Sequence, residues 1–154
     1  MRVSFDTNIL VYAADADAGE KRDAAQRLIE RAAEADCVLT LQALAEFYNA
    51  ASRRRGKAIS NPGAFVTYLR GLFRVQAPDE DTLVAAMDAS QRHRLPFWDA
   101  MLWACARQAG CRTLLSEDFQ DGRSLGGVTF VNPFNARNAE ALDQMLGSRP
   151  NDME

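Results

Sequence analysis

With a single histidine and three cysteines in 154 residues, most of the side chains able to do chemistry are carboxylates, and four of them stand in telling places. Asp6 interrupts the apolar run "RVSFDTNILVYA" (residues 2–13), and Thr7 and Asn8 extend the interruption before Ile9, Leu10 and Val11 resume it. A carboxylate at the end of an apolar strand is costly unless it is hydrogen-bonded, paired or bound to a cation. A helix N-cap explains Asp6 alone, but leaves Thr7 and Asn8 without work to do. Glu46 lies in "LQALAEFYNAASRR", whose period-3.6 stripe is Leu44, Phe47, Tyr48 and Ala51. Gln42, Asn49 and Arg53 share the side of Glu46, a face that suits either solvent or a cleft. Asp99 follows Pro96 in "LPFWDAMLWACA", in the first turn of an apolar helix, where the helix dipole favours an anion. The flanking Phe97, Trp98, Met101 and Trp103 predict that this turn is largely buried. Asp118 sits in "SEDFQDG" beside Ser116, Glu117 and Asp121, where a turn or cap is the plain alternative to a site. Four acids on four elements, with no His or Cys among them, form a hard-oxygen donor set that suits Mg²⁺ or Mn²⁺ better than zinc.

The elements that must position these residues alternate in type. "RVSF" (2–5), "CVLT" (37–40), "RVQA" (74–77), "TLLS" (113–116) and "VTFV" (128–131) have strand length and strand composition. Between them run helical patterns, with Ala25, Leu28, Ile29 and Ala32 at i, i+3, i+4, i+7 in "RDAAQRLIERAAEA", and Leu83, Ala86, Met87 and Ser90 in "DEDTLVAAMDAS". The segment "DAMLWACARQAG" repeats the pattern and ends at Gly110, a C′ glycine. Strands alternating with helices predict an α/β fold, a three-layer α/β/α sandwich on a parallel five-stranded sheet. One domain over residues 1–146 is expected, with a polar tail, 147–154, that frays. In such sheets ligands bind at the carboxyl ends of the strands, beside the point where strand order reverses. Asp6 ends the first strand, and Asp118 comes two residues after the fourth.

Composition narrows the function. A net charge of −3 does not advertise nucleic-acid binding, although metal ions held by surplus acids can supply the positive field that phosphate needs. Cys37, Cys105 and Cys111 match no zinc or redox spacing and are expected as buried, reduced thiols. His93 lies in the polar run "SQRHRL" and is expected at the surface, which argues against Ser-His-Asp chemistry. No apolar stretch reaches the length of a membrane span and no signal peptide is visible, so a soluble, cytoplasmic protein is expected. The basic run "SRRRGK", with Arg53, Arg54 and Arg55, is either a helix C-terminus stabilised by its dipole or a rim that contacts phosphate.

The segments "FDTNIL", "ALAEFYNA", "FWDAMLWACA", "LLSEDFQDG" and "VTFVNPF", taken in that order from Arg2 to Phe134, resemble a PIN-domain ribonuclease, closest to the VapC-like toxins of type II toxin–antitoxin modules. The resemblance implies a PIN-like fold and an endoribonuclease dependent on Mg²⁺ or Mn²⁺ that hydrolyses RNA phosphodiester bonds. Carried over by position, Asp6, Glu46, Asp99 and Asp118 become the catalytic acids, with Asp6, Asp99 and Asp118 as metal ligands. Thr7, Asn8 and Ser116 would hold the site in shape; Glu117 and Asp121 lie near it, with Glu117 the supporting acid. A cognate VapB-like antitoxin and a homodimer are the implied partners. Two other readings remain: a non-catalytic PIN-like RNA-binding scaffold, and a phosphatase with an aspartate nucleophile, which usually wants a second acid where this chain has Asn8.

Overall fold

The structure, a computed structural model, describes residues 1–53 and 59–147. All five strands expected from the apolar runs form: β1 (Val3–Phe5), β2 (Val38–Thr40), β3 (Arg74–Gln76), β4 (Thr113–Leu115) and, after a further short strand β5 (Ser124–Leu125), β6 (Val128–Val131). Every residue of β1, β2 and β4 is buried, as parallel strands covered on both faces require. β3 is half exposed because it has a partner, β2, on one side only.

The strand count differs from the expectation of one five-stranded parallel sheet. Ladders join β1, β4, β6 and β5 in that order, while β2 and β3 form a separate parallel pair. The seam between β1 and β2 has shrunk to one bridge, Val3 with Cys37, and a bond from the Val3 amide to the Asp36 carbonyl at 3.0 Å. Strands of three residues leave room for little more. β5 runs antiparallel to β6 and was not expected; two residues cannot show a period. Its turn is Gly126-Gly127, both with positive φ (55° and 82°), the two-residue geometry that matches strand twist.

The helices are α1 (Thr7–Ala14), α2 (Glu20–Ala33), α3 (Leu41–Arg53), α4 (Pro62–Leu72), α5 (Glu80–His93), α6 (Phe97–Gln108) and α7 (Ala139–Leu146). Right-handed crossovers place the helices between β1 and β3 on one face and those between β3 and β4 on the other. The packing agrees: α1 lies on α2 and α3, α3 on α4, and α7 on α2, whereas α5 pairs with α6. The buried stripe of α2 is Ala25, Leu28, Ile29 and Ala32, as the period predicts. α6 closes with Gly110 at φ 83°, the Gly110 amide bonding the Arg107 carbonyl and the Cys111 amide the Ala106 carbonyl, which is the Schellman pattern.

Two stripes are rotated from their expected positions. In α3, Ala43 is buried and Tyr48 is exposed. In α5, Thr82, Ala86 and Ala89 face inward, while Leu83 and Met87 are 42% and 51% exposed. Thr82 sets the α5 rotation: its amide and hydroxyl bond Asp79 in a capping box, and its hydroxyl also reaches Gln108 of α6 at 2.6 Å. A polar anchor at the helix start outweighs the burial of two flexible apolar side chains.

Between the layers Phe5, Phe47, Phe130, Leu114 and Leu115 are fully buried, each contributing about 1.5–3 kcal/mol by leaving water. Cys37, Cys105 and Cys111 are buried free thiols, and burial pushes all three above the usual thiol range, Cys105 to about 11 and Cys111 to about 12. His93 is exposed in the last turn of α5. Arg54 and Arg55 lie outside the described residues, as does the expected tail from 148 onward. Gly147 is described, and its carbonyl accepts a bond from Arg31.

Candidate active site

β1 and β4 are hydrogen-bonded neighbours, while the next strand beyond β1 is β2, so strand order reverses at β1. The carboxyl ends of β1 and β4 therefore open side by side into the crevice where α/β sheets bind ligands. Asp6 is the first residue past β1, and its amide still bonds the Leu115 carbonyl of β4 at 2.9 Å. Its side chain does two jobs at once. Oδ1 accepts the Thr7 amide at 2.6 Å as the N-cap of α1, and Oδ2 accepts the Ser116 hydroxyl at 2.6 Å from the end of β4. Ser116 Oγ in turn accepts the Asp118 amide at 3.0 Å, fixing the turn that carries Asp118.

The other polar residues of α1 reach the remaining acids. Asn8 Nδ2 donates to Asp118 Oδ2 at 2.6 Å, and Thr7 Oγ1 donates to Glu46 Oε2 at 3.0 Å. Gln42, one turn before Glu46 on α3, donates from Nε2 both to Glu46 Oε1 at 2.6 Å and to the Trp98 carbonyl at 2.9 Å. That second bond ties α3 to the first turn of α6, where Asp99 stands half-buried at the third helical position. The segment "DTN" thus supplies one acid and two hydrogen-bond arms to two more.

The acids act on one another. Burial pushes the Asp6 carboxyl up to about 6; the Ser116 bond opposes that rise, and repulsion from Asp118 and Asp99 adds to it. Asp99 is raised as well, by burial first and then by Asp118 and Glu46. Among the described residues no lysine, arginine or histidine forms an ion pair with any of these four carboxylates. Among the described residues, too, no three acidic, His or Cys side chains are drawn together as a ready-made metal cage. Uncompensated carboxylates repel, and Thr7, Asn8, Ser116 and Gln42 hold the side chains in their present places. The donor set nevertheless fits a hard divalent cation: oxygen ligands only, from four elements, at a site whose own charge opposes full ionisation.

Several neighbours do something other than the sequence indicated. Glu117 turns away from the four acids and accepts bonds from Tyr12 Oη and from Lys21 Nζ, the latter at 2.7 Å. Partial burial would raise its carboxyl, but those bonds hold it below the usual range. Asp121 collects the Asn132 amide and the side chains of Asn135 and Asn138, and so closes the loop after β6. Arg53 is exposed in the last turn of α3. The first turn of α6 is less buried than its aromatic flanks suggested: Phe97 and Trp98 are 37% and 63% exposed, while Met101 and Trp103 point into the core. Gln42 is the supporting residue that sequence reasoning left without a role; its i−4 spacing from Glu46 was the available signal.

Comparison with known proteins bears on both fold and family. The chain is similar in structure to VapC20 from Mycobacterium tuberculosis, a sarcin-ricin loop cleaving toxin, with 20% identity over 75% of this chain and 89% of that one (TM-score 0.62). It is similar to a toxin–antitoxin complex from Klebsiella pneumoniae, with 21% identity over 86% of this chain and 98% of that one (TM-score 0.63). It is also similar to VapBC2 from Rickettsia felis bound to a promoter DNA fragment, with 14% identity over 86% and 98% (TM-score 0.66). At such identities the likeness is one of fold. No curated protein sequence gives a significant match. The PIN domain family matches residues 3–120, a stretch that holds Asp6, Glu46, Asp99 and Asp118, and the chain belongs to that family.

Proposed function

We propose that this PIN domain is a metal-dependent endoribonuclease and the toxin component of a toxin–antitoxin module. The observation that carries the reading is the mutual influence of carboxylates from four elements beside the switch point of the sheet: Asp6 is raised by burial and by Asp118 and Asp99, and Asp99 by burial and by Asp118 and Glu46. Asp6, Asp99 and Asp118 would hold Mg²⁺ or Mn²⁺, with Glu46 at the rim. When bound, a divalent ion supplies a water acidified by several pKa units and neutralises phosphate charge. The chain's own part is to orient and to discharge. Asn8 and Ser116 fix Asp118 and Asp6 in direction, Thr7 and Gln42 fix Glu46, and Asp6 would hold a cation only in its ionised form. The raised acids predict cation affinity that falls as pH drops below about 6.

The fold neighbours solved as toxin–antitoxin complexes support an antitoxin partner of the VapB kind, and we extend the proposal to a homodimer. Arg53, Arg54 and Arg55 are proposed as a phosphate-contacting rim; replacing them would flatten the salt dependence of RNA binding. An aspartate nucleophile is disfavoured because Asn8 stands where such enzymes usually carry a second acid, and its amide is spent on Asp118.

The deciding experiment is cleavage of structured RNA by the wild type and by Asp6→Asn and Asp118→Asn, each with Mg²⁺ and with EDTA. Loss of cleavage in EDTA and in both variants, with circular dichroism unchanged, is the expected result. Full activity in both variants, or in EDTA, overturns the proposal; RNA binding without any cleavage by the wild type returns the protein to a non-catalytic scaffold.

A further inference from the structure

Trp98 is 63% exposed, directly before Asp99 in the first turn of α6. A large aromatic side chain so open to water forgoes most of the stabilisation its burial would bring. The other tryptophan, Trp103, sits on the same helix and is 4% exposed, its indole bonded to the Leu125 carbonyl at 3.0 Å. α6 thus sinks one tryptophan in the core and presents the other beside a candidate catalytic acid. The base beneath the presented ring is rigid: the Trp98 carbonyl accepts Gln42 Nε2 at 2.9 Å, and the Ala100 amide bonds the Pro96 carbonyl at 2.9 Å. Phe97, 37% exposed, meets Trp98 with ring centroids 5.1 Å apart and planes at 64°, so the two rings form an aromatic corner rather than a closed stack.

We infer that Trp98, with Phe97 at its side, is a stacking platform for an unpaired nucleobase of the RNA. The inference rests on the nuclease reading above and narrows its substrate to single-stranded segments. Three observations favour a base over other occupants. Trp98 directly precedes Asp99 on α6, their Cα atoms about 3.8 Å apart, so a base on the ring lies within about one nucleotide's reach of the acids. The surroundings are anionic, which favours contact through a neutral π-face over contact through phosphate. The Trp98 backbone is held by the residue that also holds Glu46, so stacking has only the torsions of the indole itself to order. Proteins read single-stranded RNA by stacking unstacked bases on aromatic side chains, whereas the bases of a duplex are not available to stack.

The test uses Trp98→Ala and Trp98→Phe in the full chain, with a single-stranded RNA and its duplex as probes. Stacking is sequence-tolerant, and truncation to alanine is expected to weaken single-strand binding about 5- to 100-fold. The loss should appear in KM more than in kcat, and the phenylalanine variant should recover most of it. In an Asp118→Asn background, single-stranded RNA should quench the emission of Trp98, and Trp98→Ala should remove that quenching while the buried Trp103 emission persists. Unchanged KM and unchanged quenching in Trp98→Ala overturn the inference, even where cleavage by the wild type upholds the nuclease reading. Quenching by single strands in a protein that never cleaves upholds the platform and sinks the nuclease. If Trp98→Ala instead abolishes self-association with RNA affinity unchanged, the ring is a protein contact and the inference fails.

Discussion

Replacing Asp6 by asparagine should stabilise the metal-free protein at neutral pH while removing a group proposed for catalysis. In the fold the Asp6 carboxyl is pushed from 3.8 to about 6, chiefly by burial, with repulsion from Asp118 and Asp99 added and the Ser116 and Thr7 bonds opposing. An acid whose folded pKa lies above its unfolded value binds more protons folded than unfolded between the two, so stability is full below about 4 and is lost as pH rises through 6. A shift of roughly two units corresponds to about 3 kcal/mol forfeited above pH 6. Asparagine carries no charge to desolvate and can still accept the Thr7 amide. Its amide group, however, faces the Ser116 hydroxyl that now donates to Oδ2 at 2.6 Å, which costs about 1–1.5 kcal/mol of hydrogen bonding. The net gain at pH 7.5 is then about 1–2 kcal/mol, or about 3–6 °C in Tm for a chain of this size. Near pH 4 only the hydrogen-bond loss remains, and the variant should be the less stable protein. Urea unfolding of both proteins in EDTA, at pH 4 and 7.5, measures the crossing. A difference of one sign and one size at both pH values would refute the assignment of a raised, buried Asp6. Adding Mg²⁺ at pH 7.5 should stabilise the wild type and leave the variant nearly unmoved.

Other perturbations probe separate parts of the molecule. Asn8→Ala removes the bond to Asp118 Oδ2 and should lower Mg²⁺ affinity about 10- to 100-fold, read by calorimetry, with an unchanged circular dichroism spectrum. Gly126→Ala places a Cβ 2.8 Å from the Trp103 ring and 3.1 Å from Arg107 at a φ of +55°, and should cost roughly 1–3 kcal/mol in urea unfolding. The three buried thiols, raised by burial, should react with a thiol reagent at neutral pH only at the rate of unfolding, and quickly in denaturant.

What the sequence made legible was whatever is encoded in a period or a punctuation residue. β1, β2, β3, β4 and β6 were readable as short apolar runs, the α2 stripe as a clean 3.6 repeat, and the end of α6 from Gly110. What it hid depends on tertiary partners. The rotation of α5 follows from the grip of Thr82 on Asp79 and on Gln108, a residue 26 positions away. The exposure of Trp98 could not be told from the burial of Trp103, because both lie in one aromatic-rich stretch and neighbouring elements decide which is covered. Among the candidate acids, Asp6 was the most legible, since "DTN" breaks an apolar run. Glu46 was the least, since a half-exposed glutamate on a helix is ordinary until Thr7 and Gln42 are seen to hold it.

The segment "SEDFQDG" shows why acid density alone does not count charge at a site. Glu117 and Asp118 are adjacent, yet α1 separates them: Asn8 takes Asp118, and Tyr12, one turn later on the same face, takes Glu117. Four residues of helix carry the second pairing about 6 Å along the α1 axis. There Lys21 neutralises Glu117 with a bond of 2.7 Å, its ammonium 4.7 Å from the centre of the Tyr12 ring. Asp121 is turned outward to close a loop of asparagines, which hold it below the usual carboxylate range despite some desolvation. Of the three acids in the segment, one faces the crevice. The charge at the proposed cation site is therefore that of Asp6, Glu46, Asp99 and Asp118 alone, because Asn8, Tyr12 and Lys21 sort the neighbouring carboxylates into different places.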